Sequence, residues 1–202
     1  LDNLTTPFIE ETKKYVVGFI ADHFSEEICY HNIDHTLEVV EAVEMIGRAC
    51  KISDQQIEML KVAAWFHDAG YYLGCADHEE ASAEIAREYL LQTHVDSDFI
   101  MTVESCILAT KLPQNPQNIL EEIICDADLF HLSSEQFFEK SELLLQEFSV
   151  SDKNMTPEIW MARSKEFIES HHYHTKFGKE QLFPKLQRNL GILRAKIRSV
   201  KS

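Results

Sequence analysis

Three stretches of this chain repeat apolar residues at steps of three and four. In each, the step that would extend the stripe lands on an imidazole or a carboxylate. In 34–50 the stripe Val39, Ala42, Ile46 runs back one turn to His35, while Glu41, Glu44 and Arg48 face elsewhere. In 54–67 it is Ile57, Leu60, Ala64 and then His67, followed at once by Asp68. In 118–129 Leu120 and Ile124 lead by steps of four to Asp128. Such spacing gathers residues on the helix face that packs inward. A carboxylate carried inward without a partner is costly, and one shared cation would satisfy all four groups together. Two imidazoles and two carboxylates form a borderline N/O donor set. It suits one divalent metal ion such as Mn, Fe, Co, Ni or Zn and, less well, Mg.

The rest of the chain points to an all-α fold. Only 6 Gly and 5 Pro occur in 202 residues, which favours long uninterrupted helices over a turn-rich β architecture. The periodicity predicts helices over 7–23, 34–50, 54–67, 78–92, 97–110, 118–129, 134–148, 157–170 and 178–199. No segment keeps a period of two, and the apolar run at Ile123-Ile124 fits a helical stripe better. Thr6-Pro7 and Thr156-Pro157 each place proline after a capping hydroxyl. Ser53 with Gln56, Asp77 with Glu80, and Ser133 with Gln136 have capping-box spacing. Length and a hydrophobic content of 45% fit one domain over 1–202.

A formal charge of -15 argues against nucleic acid as a partner, since binding it needs a basic surface. A small anionic substrate stays compatible, because a bound cation can dominate the local field. Cys29, Cys50, Cys75, Cys106 and Cys125 are odd in number and form no CxxC pair, the pattern of reduced thiols in a cytoplasmic protein. No apolar run is long enough to span a membrane, and the opening residues show no signal-peptide pattern. The chain opens at Leu1 rather than Met, which leaves room for residues upstream. The outer helices leave room for a homodimer.

His35, then the adjacent His67-Asp68, then a distant Asp128 resembles the HD superfamily of metal-dependent phosphohydrolases. The text "AAWFHDAGYY" is similar to that family's small-apolar-apolar-His-Asp helix end with Gly after it. "CDADLFHL" resembles the closing motif, in which an Ala-Asp pair supplies the last ligand; like the stripe, it selects Asp128 over Asp126. The resemblance covers about residues 30–150, with 151–202 expected as C-terminal helices packed on that core. It implies a compact multi-helix bundle with His35, His67, Asp68 and Asp128 on the metal. Tyr30-His31-Asn32-Ile33-Asp34-His35 resembles the YHNxxH signature of the cyclic-nucleotide phosphodiesterases, an HD branch. There the second His binds metal and the first protonates the departing oxygen, which implies His31 as general acid. An imidazole titrates near neutrality and suits that work. Asn32 is expected to tie down backbone rather than touch substrate.

His78 approximates a position where HD enzymes often carry a His for a second metal or for the substrate phosphate. Two-metal members usually add a His at the end of the next helix; here Thr110 and Lys111 stand there, which favours one metal. Lys111 is either a phosphate contact or a helper of the helix C-terminus. Tyr72 stands where some members carry a Glu base, so that role is not carried over. The run His171-His172-Tyr173-His174 reads as a helix end before Gly178, since adjacent histidines on a helix point in different directions.

The resemblance thus implies hydrolysis of a small phosphate ester, with a nucleotide phosphomonoesterase or phosphodiesterase as the expected activity. The metal would activate a water and polarise the phosphoryl group. Asp68 or Asp128 would ligate and also orient the water or accept its proton, His78 and Lys111 would stabilise developing charge, and His31 would protonate the ester oxygen. Two alternatives follow from the same scaffold. One is a non-catalytic nucleotide- or metal-binding regulatory module. The other is a di-iron oxygenase, which the Thr110-Lys111 departure disfavours.

Overall fold

The computed structural model describes residues 6–74 and 76–200, so that Cys75 lies outside the described residues. All regular structure among them is helical: α1 (Pro7–His23), α2 (Ile33–Cys50), α3 (Asp54–Phe66), α4 (His78–Leu90), α5 (Ser97–Ala109), α6 (Ile119–Asp128), α7 (Phe137–Ser151), α8 (Pro157–Ser170) and α9 (Phe183–Val200). Short 3-10 turns at Tyr71–Leu73 and Leu129–Ser133 and a π turn at Gly178–Leu182 complete the list. The all-α expectation is met. None of these helices is long and apolar enough to cross a membrane.

The stripes do what their period requires. α2 packs on α3 and α6, α3 on α5, and α4 on α5. Val43, Ile46, Leu60, Ala64, Phe66, Val103, Ile107, Ile123 and Ile124 are buried between them. Each fully buried aliphatic or aromatic side chain contributes about 1.5–3 kcal/mol. One charged contact is buried with them: the Lys61 ammonium meets the Glu44 carboxylate between α3 and α2, with Arg48 on the other side of Glu44. Cys29, Cys50, Cys106 and Cys125 are free thiols.

The helix starts divide into two groups. Thr6 and Thr156 cap as expected, their hydroxyls accepting from Ile9 N at 3.2 Å and Ile159 N at 3.3 Å. The Ser53–Gln56 capping box is complete. The other two boxes do not form. Asp77 sits at φ 55°, in the left-handed region, and its carboxylate accepts from Lys111 Nζ at 2.6 Å instead of capping α4. Ser133 closes the 3-10 turn and donates to Phe130 O at 2.9 Å, so α7 begins only at Phe137. The helix expected over 178–199 opens with the π turn before α9.

The C-terminal segment is clasped to the end of α6. Past α8, His174 N and Thr175 N donate to the two oxygens of Asp126 at 2.7 and 2.9 Å, and the Thr175 hydroxyl adds a third bond at 2.6 Å. Gly178 lies so close that a Cβ there would overlap the Asp126 carboxylate and come within 2.7 Å of Tyr173 Cβ. The Tyr173 hydroxyl donates to Leu129 O at 3.2 Å. Asn189 Nδ2 on α9 donates to Leu132 O and Ser134 O, both at 2.9 Å.

Candidate metal centre

Three helix ends meet at one point. His35 lies in the first turn of α2, His67 immediately follows α3, and Asp128 is the last residue of α6. His35 is placed by the cap beneath it: Asn32 Oδ1 accepts from Asp34 N at 2.9 Å and His35 N at 3.3 Å, while its Nδ2 donates to Cys29 O at 2.7 Å. Asn32 therefore ties down backbone, as expected. His67 Nδ1 is held by Ala64 O at 2.8 Å, which turns Nε2 inward. His35 Nε2 and His67 Nε2 stand 3.2 Å apart. Asp68 Oδ2 is 3.0 Å from His67 Nε2 and 3.4 Å from His35 Nε2. Asp128 Oδ1 is 3.4 Å from His35 Nε2 and 3.6 Å from His67 Nε2. His35, His67 and Asp128 each offer a ligand atom within 4.8 Å of the others.

Physical chemistry supports a cation here. Asp68 Oδ2 is buried and has no hydrogen-bond partner. Burial opposes charge on Asp68 and Asp128, yet the neighbouring His67, with His78 for Asp68 and His35 for Asp128, holds both carboxyls below their usual range. Burial also opposes charge on His67, but Asp68 and Asp128 together raise it well above an ordinary imidazole. Burial lowers His35, and the adjacent His67 adds to that. One positive charge is therefore called for where the four side chains meet. A proton on His67 supplies it, and a divalent ion fits the same N₂O₂ donor set.

Gly70 explains how His78 reaches this point. A Cβ at Gly70 would lie 2.5 Å from His78 O and 2.7 Å from Ala81 Cβ, so only glycine lets the start of α4 approach so closely. Gly70 N donates to Ser82 Oγ at 2.8 Å and fastens the approach. His78 Nε2 then stands 3.3 Å from Asp68 Oδ1, with Glu79 Oε2 at 3.4 Å from His78 Nδ1.

His31 is at the lip. Its Nδ1 bonds Glu147 Oε1 on α7, and its ring stacks on Tyr71 with centroids 4.0 Å apart. Glu147 Oε2 also accepts from Tyr30 N at 2.9 Å and His31 N at 3.2 Å. Burial would push the Glu147 carboxyl up, but His31 and these N–H donors hold it below its usual value. A cavity of about 310 Å³ opens beside the four ligands; His31, His78, Asp68 and Asp128 line it.

The structure does not bring Lys111 into this group. Its ammonium lies between Asp77 and Glu80, at 2.6 and 2.5 Å, which corrects the expected phosphate contact. Thr110 does line the cavity. The histidine run belongs to the clasp: His174 serves Asp126, and His171 is buried with Nε2 unpartnered. Three residues escaped the sequence reading as site components. Glu147 orients His31. His131 lines the cavity, where burial and the neighbouring His35 push it down to about 3, so it is a neutral imidazole. The Tyr30 hydroxyl is buried in the same wall without a partner. Burial and the charges of Asp128 and Asp68 push it well up, so it stays a donor.

An all-helical bundle whose helix ends converge two imidazoles and two carboxylates has the architecture of a divalent-metal protein. The model of the HD domain matches residues 32–133, half of the chain, and the chain belongs to that family. Two solved structures share the fold. A predicted HD superfamily hydrolase from an uncultured Thermotogales bacterium has a TM-score of 0.58 at 18% identity, covering 93% of this chain and 90% of that one. A protein from Lactobacillus plantarum has a TM-score of 0.70 at 12% identity, covering 98% and 97%. No curated protein matches the chain.

Proposed function

We propose that the protein is a metal-dependent hydrolase of phosphate esters, with His35, His67, Asp68 and Asp128 holding one divalent ion. The observation that carries this reading is the His31–Glu147 pair at the lip of a cavity that Asp68 and Asp128, two of the four converging ligands, line. When bound, the ion would lower the pKa of a coordinated water and polarise a phosphoryl oxygen. The chain's own groups do the rest. Glu147 fixes the His31 ring through Nδ1, leaving Nε2 to deliver a proton to the departing ester oxygen. His78 steadies Asp68 from the side away from His67 and can take up a proton released there. The neutral His131 supplies a hydrogen bond to a substrate oxygen without adding charge. A nucleotide substrate is supported by the YHNxxH resemblance alone. The clasp between Asp126 and residues 174–178 supports treating 1–202 as one domain.

The hydrogen-bonded acid beside the ligands favours catalysis over a regulatory module that binds without turnover. The test is to load metal-free protein separately with Mn, Fe(II), Co, Ni, Zn and Mg and offer phosphate mono- and diesters, nucleotides included. The expected result is turnover with at least one metal, abolished in His67→Ala and reduced in His31→Ala. Metal uptake with no ester cleaved under any metal would put the regulatory module in its place.

A further inference from the structure

The cavity beside the metal ligands has two unlike ends. One is the polar floor of His31, Asp68, His78 and Asp128. The other is a wall from α7, α8 and the turn before α7, including Leu132, Phe137, Leu144, Phe148, Trp160 and Phe167. Phe148 and Trp160 lie against each other with centroids 5.4 Å apart. Of the polar side chains lining the cavity on this side, Ser141, Thr110 and Glu79 are engaged by protein groups, and Ser164 adds one further hydroxyl from α8. The Ser141 hydroxyl accepts from Trp160 Nε1 at 2.8 Å, Thr110 donates to Ile107 O at 2.8 Å, and Glu79 faces His78. Arg163 also lines the cavity, its side chain 60% exposed and 3.8 Å from Asp152.

Such a wall discriminates by chemistry. A nucleobase entering it would give up hydrogen bonds to water at its ring nitrogens and exocyclic groups and find few replacements, which is unfavourable. A hydrocarbon group gives up nothing and removes apolar surface from water. The wall is continuous with the floor, so a phosphoryl group at the ligands directs its ester substituent along α7 and α8. Resting on the phosphate-ester reading above, we infer that the ester group this protein accepts is an apolar hydrocarbon, chain or ring, and not a nucleoside. Trp160 stacks on that group, and Leu144 and Phe167 enclose it.

Two arms test this. The binding arm uses metal-free protein titrated with octylphosphonate, 1-naphthylphosphonate, methylphosphonate and adenosine monophosphate, read by tryptophan emission and calorimetry. The chain has 2 Trp, and Trp65 is buried in the core, so Trp160 is the reporter of the cavity. The apolar phosphonates should bind at least tenfold tighter than methylphosphonate and the nucleotide, and the emission change should vanish in Trp160→Phe. Leu144→Asp, checked for fold by circular dichroism, should reduce the octyl-to-methyl preference at least tenfold. The octyl and naphthyl probes distinguish chain from ring. The turnover arm compares kcat/KM for the matching phosphates and nucleoside monophosphates on metal-loaded enzyme. Equal or better binding of the nucleotide, or a preference untouched by Leu144→Asp, overturns the inference even where esters are cleaved. Tight apolar binding with no ester cleaved upholds the apolar cavity and instead removes the phosphate-ester reading.

Discussion

Asp126 and Asp128 stand two residues apart at the end of α6, both carried inward, and their surroundings are opposite. Asp126 is fully buried and receives three donors, from His174 N, Thr175 N and the Thr175 hydroxyl. Asp128 faces His35 and His67, with Asp68 beside them. The first carboxylate is complete as it stands and holds the C-terminal segment. The second belongs to a group in which acceptors outnumber donors and a cation is wanted. Burial alone does not separate a structural carboxylate from a ligating one; the partners do.

The largest effect that could break this contrast is on metal affinity. Asp128→Ala should weaken metal binding at least 100-fold by calorimetry, about 2.7 kcal/mol, and leave the melting temperature of metal-free protein unchanged or raised. Asp126→Ala should do the reverse. It should cost about 2–4 kcal/mol of stability, seen as a lower Tm, and change metal affinity less than tenfold. If Asp126→Ala folds normally and loses the metal, the roles are misassigned. Gly178→Ala attacks the same clasp from the other side, and overpacking against Asp126 and Tyr173 should cost about 1–3 kcal/mol with metal content intact.

A smaller effect separates the acid from the ligands. Glu147→Gln keeps the shape but removes the charge that orients His31, so turnover should fall about 10–100-fold with one metal still bound. Loss of the metal in that variant would move Glu147 into the ligand group. The smallest effect is a pH dependence in the clasp. Burial, with His174 and His172 nearby, pushes His171 down to about 4. Between about 6.5 and that value the unfolded chain binds a proton that the folded chain refuses. Stability should therefore decline as pH falls through this window, by at most about 1.4 kcal/mol per unit. His171→Phe should flatten this part of a stability–pH curve, and an unchanged slope would assign it to other groups.

What the sequence revealed was local. His35, His67 and Asp128 were legible because each ends an apolar stripe of its own helix, so a period of 3.6 carries the information. Asn32 was legible for the same reason, its cap being formed within three residues. Glu147 was not, because its partner His31 is 116 residues away and nothing in the text of α7 marks one glutamate among several. The apolar wall was not legible: Trp160 and Phe167 keep a helical spacing that core residues also keep, and only the structure shows a cavity beside them. Asp77 and Ser133 had capping spacing but found other partners, Lys111 and Phe130 O, once the chain had folded. The same tertiary contact removed Lys111 from the phosphate role.

The clasp makes the two ends of the chain's chemistry reciprocal. Asp126 and Asp128 share the last turn of α6, so whatever order a cation gives to that turn is passed to the amides of His174 and Thr175, 46 residues or more along the chain. Reciprocity then requires that tightening the tail strengthens the hold on the ion by the same factor. Slowed hydrogen exchange at those two amides would thus serve as a remote gauge of occupancy, readable without touching the cavity or any residue that faces it.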